Sequence, residues 1–302
     1  MLAEALSELD GLTGLLSVKK ELREMVKLAR FYKENGENMS DKFMSHILFL
    51  GSPGTGKTTV ARIVSKIYSA LAILPGGQLI ETDRSGLVSG YVGQTAQKTT
   101  DAINSSIGGT LFIDEAYTLV KGGENDFGKE AIDTLLKRME DDKGKFVVIA
   151  AGYTDEMKAF LESNPGMRSR FTKSFLFEDY IPDDLMKIFG FLCKKEGLWL
   201  DESTTTLLLK HFNLIYRNRD KNFGNARIVR NIFDSANRNR ILRLAGGSIK
   251  DNKNMFCLED FPELNTLEPE KKPVIVQGDS DNLEIALEEL NRLTGLEEVK
   301  EN

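Results

Sequence analysis

The chain has 302 residues, enough for two domains with full hydrophobic cores, and its 40 lysines and arginines against 46 aspartates and glutamates give a net charge of −6. This balance excludes the globally basic surface typical of nucleic-acid-binding proteins, so nucleic acid is not the expected partner; a local basic patch is the alternative. No signal sequence opens the chain, and no apolar run approaches the roughly 18 residues that cross a bilayer. We therefore expect a cytoplasmic protein with no membrane partner.

The first 34 residues follow a helical pattern that is interrupted once. The break lies near Asp10-Gly-Leu-Thr-Gly14, and the second predicted helix runs from about Ser17 to Lys33, with an apolar face that we expect to pack on the domain. The two histidines and two cysteines of the chain show no metal-ligand spacing, so we interpret them as structural: His46, His211, Cys193 and Cys257.

A glycine-rich loop follows the first apolar run. Ile47-Leu-Phe-Leu50 predicts a strand, and the helical pattern that begins near Lys57 runs to about Leu74. A strand, a glycine-rich loop and a helix N-terminus together make an anion cradle, which predicts a site for a nucleoside triphosphate. In this spacing Lys57 reaches the phosphates and Thr58 binds Mg²⁺. The predicted cofactor-binding residues are Gly51, Ser52, Pro53, Gly54, Thr55, Gly56, Lys57, Thr58 and Thr59.

Two carboxylates follow another apolar run. The strand predicted at Gly109-Thr-Leu-Phe-Ile113 ends in Asp114 and Glu115. Because ligand sites of parallel sheets lie at the carboxyl ends of the strands, we expect Asp114 to hold Mg²⁺ and Glu115 to activate the attacking water. The alternative is a solvated turn.

Strand and helix patterns alternate through the first half of the chain. Strands are predicted at 78–82 and 146–150, and a helix at 128–140. The predicted fold is therefore α/β, with a doubly wound parallel sheet. From 179 onward the pattern becomes helical (182–196, 203–217 and 224–245), which predicts a small helical lid. The predicted domains are 1–178 for nucleotide binding, 179–245 for the lid, 246–282 for a linker with one short ordered piece at Met255 to Phe261, and 283–302.

The last segment repeats the first one. Residues 283–302 match residues 2–21 without a gap, including Leu-Thr-Gly-Leu and Val-Lys in register. We interpret the repeat as the start of a following module of a tandem protein.

Five segments now occur together and in order: the phosphate loop, Asp114-Glu115, Ala151-Gly-Tyr-Thr154, Asn164-Pro-Gly-Met-Arg-Ser-Arg-Phe171 and Gly224-Asn-Ala-Arg227. With them the chain resembles the AAA+ ATPases, and more narrowly the group of the rubisco activase CbbX and stage V sporulation protein K. The resemblance covers about residues 9 to 245. It implies a P-loop NTPase core, the cofactors ATP and Mg²⁺, and assembly of the chain with itself into a ring, expected to be a hexamer.

The resemblance also assigns roles to particular residues. Arg170 matches the arginine finger that acts on the nucleotide of a neighbouring subunit, with Arg168 as second candidate; surface ion pairs are the alternative for both. Arg227 matches a lid arginine that contacts the nucleotide of its own subunit. Leu12 and Gly14, in the loop between the first two helices, are counted among the cofactor-binding residues.

One position departs from the family pattern. Many AAA+ proteins place a polar residue, often Asn, at the end of the strand after the Asp-Glu strand, where this chain has Ala150-Ala-Gly-Tyr-Thr154. Tyr153 or Thr154 can supply the hydroxyl, and the residues alone do not choose between them.

A loop with an aromatic residue is the candidate for contact with substrate. In Gly90-Tyr-Val-Gly93 the resemblance places Tyr91 and Val92 at a central pore, where they grip a protein chain; burial of Tyr91 in the core is the alternative. The predicted function is therefore an ATP hydrolase that remodels or threads a protein substrate. The alternatives are a nucleotide-dependent scaffold or switch, which does not need Glu115, and a DNA-handling ATPase, which lacks a visible DNA-binding segment.

Overall fold

Five parallel strands form the central sheet in the order β2-β3-β4-β1-β5. The computed structural model describes residues 1–37, 43, 45–122, 126–246 and 252–264. Strands β3 and β4 are buried along their whole length, which explains why both are unbroken apolar runs in the sequence. The strands are β1 (His46–Gly51), β2 (Leu79–Thr82), β3 (Thr110–Ile113), β4 (Val147–Gly152) and β5 (Phe171–Phe177).

Helices precede and connect these strands. Within the described residues, α1 (Leu2–Gly11) and α2 (Leu16–Glu34) come before β1. Those between strands are α3 (Lys57–Ala70), α4 (Arg84–Leu87), α5 (Thr95–Ser106), α6 (Gly128–Asp141), α7 (Thr154–Glu162) and α8 (Pro165–Arg170), and a 3₁₀ helix (Ala116–Val120) follows β3. The parallel sheet with intervening helices confirms the predicted α/β fold.

Alternate residues of the strands pack on opposite faces of the sheet. Leu48 of β1 belongs to one apolar cluster, together with Ile113 and Leu135. Its neighbour Phe49 instead packs against Phe175 and Phe177, with ring centroids 5.6 and 4.8 Å apart. The sheet therefore has a buried core on each face.

Three neighbouring strands bring their carboxyl ends to one edge of the sheet. Leu48 of β1 pairs with Ala150 of β4, and Ala150 pairs with Ile113 of β3. The segments that follow β1, β3 and β4 therefore meet at the same edge, where open parallel sheets keep their ligand sites.

The two N-terminal helices are tied to the core and to each other. Ala5 and Leu9 of α1 are fully buried, and α1 packs against α3. The Lys19 ammonium donates to the carbonyl oxygens of Asp10 (3.2 Å) and Leu12, which holds the loop between α1 and α2. The predicted loop is thus fixed by a side chain of the helix that follows it.

A second, helical part follows β5. It contains α9 (Pro182–Glu196), α10 (Glu202–Arg217) and α11 (Ala226–Ala245), which match the predicted lid helices closely. Its core is aromatic: Phe189 lies 5.5 Å from Phe233 and 6.0 Å from Phe261 between ring centroids. The helical lid expected from the sequence is confirmed.

Residues 252–264 fold back onto the lid helices, and they include the short ordered piece expected at Met255 to Phe261 within the predicted linker. Strand β7 (Met255–Phe256) pairs in parallel with β6 (Trp199–Leu200), and two 3₁₀ helices follow (Leu258–Asp260 and Pro262–Leu264). Arg243 of α11 donates to both carboxylate oxygens of the buried Asp260, at 2.9 and 3.0 Å. Apolar burial and this ion pair order the segment. The repeated segment 283–302 lies outside the described residues.

Candidate functional site

The phosphate loop lies between β1 and α3 and is shaped by glycines in a left-handed conformation. At Gly54 φ is +71°, and a Cβ there would lie 2.2 Å from the carbonyl oxygen of Gly224 in the lid. Gly56, with φ +93°, begins α3. No residue with a side chain fits at Gly54, so the lid and the loop approach each other backbone to backbone.

One cavity opens above this loop at the carboxyl edge of the sheet. Its walls come from the loop, from the ends of β3 and β4, and from the first turns of α11. The lining residues are Gly51, Pro53, Gly54, Gly56, Lys57, Thr58, Thr59, Asp114, Glu115, Gly152, Tyr153, Ala226, Arg227 and Arg230. The predicted Lys57, Thr58, Asp114, Glu115 and Arg227 are therefore brought together around one space.

The Lys57 ammonium lies inside the loop. It donates to the carbonyl oxygens of Gly51 at 3.0 Å and Ser52 at 2.8 Å. Burial lowers the pKa of Lys57 to about 8, which the nearby Asp114 carboxylate partly offsets and the Arg227 charge reinforces. An anion in the cavity would stabilise the charged form of this lysine.

The two carboxylates after β3 are set apart by a backbone turn. Asp114 continues the ladder by donating its N–H to the carbonyl of Thr82 at 2.8 Å, whereas Glu115 has φ +47° and ψ +44°. Thr118 secures this turn, because its N–H and hydroxyl both donate to the Glu115 carbonyl, at 2.8 and 2.7 Å. A non-glycine residue in this conformation is strained, and such strain is found at functional sites.

Two tyrosines stand beside Glu115. Tyr153 lines the cavity, while Thr154 begins α7 and lines a neighbouring groove instead. The ring of Tyr117 lies 5.9 Å from that of Tyr153, and burial followed by the Glu115 charge raises the pKa of Tyr117 to about 12. Of the two candidates Tyr153 and Thr154, only Tyr153 therefore lines the cavity. Tyr117 was missed by the sequence analysis, although its place two residues after Glu115 was a signal.

Two arginines of α11 reach the cavity from the lid. Arg227 and Arg230 both line it, one helical turn apart. The sequence analysis missed Arg230, which its spacing of three from Arg227 could have revealed.

The two finger candidates lie elsewhere in this chain. Arg170 forms an ion pair with Glu140 at 3.0 Å, and Arg168 pairs with Glu162 at 2.9 Å. The ion pairs named as the alternative are therefore present, and neither arginine lines the cavity of its own chain.

Leu12 and Gly14 do not line the cavity either. A Cβ at Gly14 would lie 3.1 Å from the ring of Tyr180, and the hydroxyl of Tyr180 donates to the Thr55 carbonyl at 3.2 Å. The loop that contains Gly14 therefore packs on Tyr180 beside the phosphate loop, and the next residue, Leu15, comes within 3.7 Å of a Cβ placed at Gly56. Ser52 and Thr55, two of the predicted cofactor-binding residues, do not line the cavity. The Thr55 hydroxyl instead donates to the Ser52 carbonyl at 2.8 Å.

The candidate substrate loop is open to solvent. Tyr91 is 73% exposed and Val92 is 85% exposed. Burial of Tyr91 in the core, the alternative considered above, is therefore wrong for this chain. A groove lined by Ser89 and Gly90 also contains Asp114 and Glu115, so the loop and the carboxylates share one surface.

His46 and Cys193 both lie in the interior of the protein. His46 is buried, accepts a hydrogen bond from the Val148 N–H at 3.0 Å, and has a pKa lowered to about 4, first by burial and then by the Arg170 charge. Cys193 is buried in the lid as a free thiol. Across the residues described, no group of three or more His, Cys, Asp or Glu side chains is arranged to hold a metal ion, and no helix has the length and apolarity to span a membrane.

Comparison with known proteins identifies both parts of the chain. The model of the ATPase family associated with various cellular activities (AAA) matches residues 47–179, and an AAA lid domain matches residues 181–271. The chain is 41% identical over 250 residues to stage V sporulation protein K of Bacillus subtilis, covering 82% of this chain and 78% of that protein. It is 38% identical to the protein CfxQ homolog of Guillardia theta, covering 85% and 89%.

Longer relatives and solved structures are also similar. The chain is 39% identical to the ESX-1 secretion system protein EccA1 of Mycolicibacterium smegmatis, of which it spans 45%. The fold resembles the FIGL-1 AAA domain in complex with ADP, with a TM-score of 0.57, 19% identity and coverage of 91% and 87%. Mutant RuvB of Thermotoga maritima gives a TM-score of 0.56 at 22% identity, covering 82% and 68%. The chain therefore belongs to the AAA family of ATPases, in the group of stage V sporulation protein K and the CbbX-like CfxQ proteins.

Proposed function

We propose that this ATPase works as a ring of identical subunits that hydrolyses Mg-ATP and uses the energy to thread or remodel a protein substrate. The observation that carries the proposal is the single cavity in which Lys57, Glu115 and Arg227 converge. These groups come from the phosphate loop, the end of β3 and the lid. Movement of the lid therefore moves Arg227 relative to Lys57 and Glu115, which couples lid closure to the chemistry of the nucleotide.

The donor set of the cavity fits the cofactors. Thr58 and Asp114 supply hydroxyl and carboxylate oxygens, the hard ligands that Mg²⁺ prefers, and both line the cavity. The left-handed glycines and the N-terminus of α3 suit a polyphosphate. Bound Mg²⁺ would neutralise charge on the phosphates.

The residues of the chain then divide the work of hydrolysis. Glu115 accepts a proton from the attacking water, and the Tyr153 hydroxyl beside it orients that water. Lys57 and Arg227 hold the phosphates with positive charge that is already in place before reaction. Arg230 adds a second lid cation at the same cavity.

The position of Arg170 supports action on a neighbouring subunit. Phe171, which follows it, pairs with His46 at the amino end of β1, whereas the phosphate loop starts at the carboxyl end of that strand. An arginine at that edge of the sheet faces away from its own nucleotide cavity. In a ring, the same edge can face the cavity of the next subunit.

The exposed loop supports contact with a protein chain. An unpacked aromatic ring such as Tyr91, with Val92 beside it, can grip an extended polypeptide without reading its sequence. The groove shared by Gly90 and Glu115 gives this loop a path to the hydrolysis site. The repeat at 283–302 further supports a tandem arrangement, in which a second module follows this one.

Mass measurement with and without nucleotide tests the assembly. With ATP and Mg²⁺ present we expect one defined multiple of the chain mass, and hydrolysis per chain should rise with protein concentration. A monomer that hydrolyses ATP at a rate per chain independent of concentration would contradict the ring.

A further inference from the structure

Three consecutive carbonyls of the phosphate loop are hydrogen-bonded by groups outside the loop. The Pro53 oxygen accepts from the side-chain amide of Asn225 and the Gly54 oxygen from the N–H of Ala226, each at 3.2 Å. The Thr55 oxygen accepts from the Tyr180 hydroxyl, also at 3.2 Å. The cavity side of the loop is left for the phosphates, and the opposite side is bound by the lid and by the segment that leads into it.

Asn225 is the centre of this arrangement. It is fully buried, and its side-chain oxygen accepts from the N–H of Tyr180 at 2.8 Å, while its two amide hydrogens are shared among the Asp179 carboxylate at 2.8 Å, the Phe223 carbonyl at 2.9 Å and the Pro53 carbonyl at 3.2 Å. One amide therefore joins the loop, through Pro53, to the hinge segment between β5 and α9. A buried amide with all its groups bonded fixes a single arrangement of the elements that it connects.

The backbone of Asn225 is strained. Its φ of 50° and ψ of −124° belong to a region that glycine adopts readily and residues with a Cβ avoid. Glycine would therefore be the less strained residue here, and the presence of Asn points to a use for its side chain.

The network continues into the lid. Asp179 also contacts the Arg219 guanidinium, at 3.4 Å, and Arg219 stacks over the ring of Tyr216 in α10, 3.8 Å from its centroid. Asn225 lies two residues before Arg227, so whatever sets the angle of the lid also sets the position of that arginine.

We propose that Asn225 is a positioning residue: its amide holds the lid against the phosphate loop and thereby places Arg227 in the nucleotide cavity. The proposal deepens the function of the same site and rests on the role given to Arg227 above. Asn225 itself does not line the cavity, so it acts on the nucleotide only through other residues.

The test is a binding cycle with four proteins: the parent, Asn225→Gly, Arg227→Ala and the double variant. Glycine suits the backbone of residue 225, so Asn225→Gly should melt within a few degrees of the parent. Calorimetry with ADP and Mg²⁺ should show about a tenfold loss of affinity for Asn225→Gly, and no further loss when that change is added to Arg227→Ala. Asn222→Gly is the control, because Asn222 is exposed in the same loop and, in the part of the chain that the structure describes, its hydrogen bonds go to Asp220; the affinity of this variant should equal that of the parent.

The positioning role would be overturned if the losses of affinity add in the double variant. It would also be overturned if Asn225→Gly keeps the affinity of the parent, or if that variant no longer folds. Because the cycle measures binding alone, a parent that fails to hydrolyse ATP would contradict the proposed function without affecting this result.

Discussion

Arg170 and Gly51 lie at opposite ends of the same pair of parallel strands. Phe171 pairs with His46 and Phe177 pairs with Gly51, so the length of β5 separates Arg170 from the phosphate loop. At about 3.3 Å per residue this length is roughly 20 Å, several times the reach of a hydrogen bond. Arg170 therefore does not reach the nucleotide cavity of its own chain, which agrees with its proposed action on another subunit.

Replacement of the proposed base should separate binding from chemistry. Glu115→Gln keeps the shape of the side chain but removes the proton acceptor, so we expect nucleotide affinity near that of the parent and turnover lower by about 100-fold or more. Lys57→Ala should instead lose binding, because the positive charge in the loop is gone. Steady-state hydrolysis and calorimetry together measure both. A Glu115→Gln protein that turns over at the parent rate would refute the assignment.

The lowered pKa of Lys57 makes nucleotide binding depend on pH. Its pKa is about 8 in the chain, and bound phosphates stabilise the charged form, so binding at about pH 9 should take up a proton. The unfolded chain holds that proton up to its ordinary pKa of 10.5, so the contribution of Lys57 to the free energy of unfolding rises with pH between about 8 and 10.5. Calorimetry in two buffers of different ionisation enthalpy counts the protons. Lys57→Arg is the control, since a guanidinium stays charged and should show no uptake; equal uptake by both proteins would contradict the role of Lys57.

Truncation of the exposed aromatic should affect work on substrate without affecting stability. Because Tyr91 is 73% exposed, Tyr91→Ala should change the free energy of unfolding by no more than about 0.5 kcal/mol, and basal hydrolysis should remain. Stimulation of hydrolysis by an unstructured polypeptide such as casein should be lost. Phe191→Ala, which removes an aromatic ring 65% exposed on the lid, should keep that stimulation. Full stimulation of Tyr91→Ala would remove the support for threading.

The repeat at the end of the chain provides a matched pair of leucines. Leu9 is fully buried in α1 and its counterpart in the repeat is Leu290. Buried positions of the first copy recur unchanged (Ala286, Leu290, Leu296 and Val299), whereas the exposed Leu16 is replaced by Glu297. If 283–302 opens a separate module, Leu9→Ala should cost about 2–5 kcal/mol in thermal unfolding and Leu290→Ala less than about 0.5 kcal/mol. Removal of 283–302 should likewise leave nucleotide affinity unchanged; similar losses for both leucines would contradict the interpretation.

Local patterns were enough to predict most of the fold. Strands β3 and β4 are apolar runs ended by polar segments, and Gly54 and Gly56 mark the phosphate loop, so their places follow from neighbours in the sequence. The pairing of β6 with β7 was not predictable in this way, because its two short strands lie more than fifty residues apart. Two-residue strands carry no periodic signal.

The sequence likewise predicted only those site residues that belong to local motifs. Lys57 and Asp114 belong to local motifs, and the sequence identified them. The cavity positions of Tyr153 and Arg230, and the bond from Asn225 to Pro53, depend on how the lid meets the loop across about 170 residues of chain. Such contacts arise from tertiary packing, which the spacing of residues in one sequence does not encode.

Arg168 provides a matched control for Arg170. Arg168 lies on the same helix as Arg170 and also forms an ion pair, but its side chain is 66% exposed against 25% for Arg170. We expect Arg168→Ala to hydrolyse ATP at nearly the parent rate and Arg170→Ala to hydrolyse slowly with nucleotide affinity retained. If the two substitutions slow hydrolysis equally, the positive charge at this edge of the sheet supports hydrolysis in general, and Arg170 has no specific role as an arginine finger.

The most direct measurement mixes two inactive proteins. Glu115→Gln lacks the base and Arg170→Ala lacks the finger, so in randomly mixed rings about one interface in four pairs an intact Glu115 with an intact Arg170. The account predicts that hydrolysis recovers on mixing to well above the sum of the two separate proteins. Absence of recovery in assemblies shown to contain both variants would contradict a site shared between subunits.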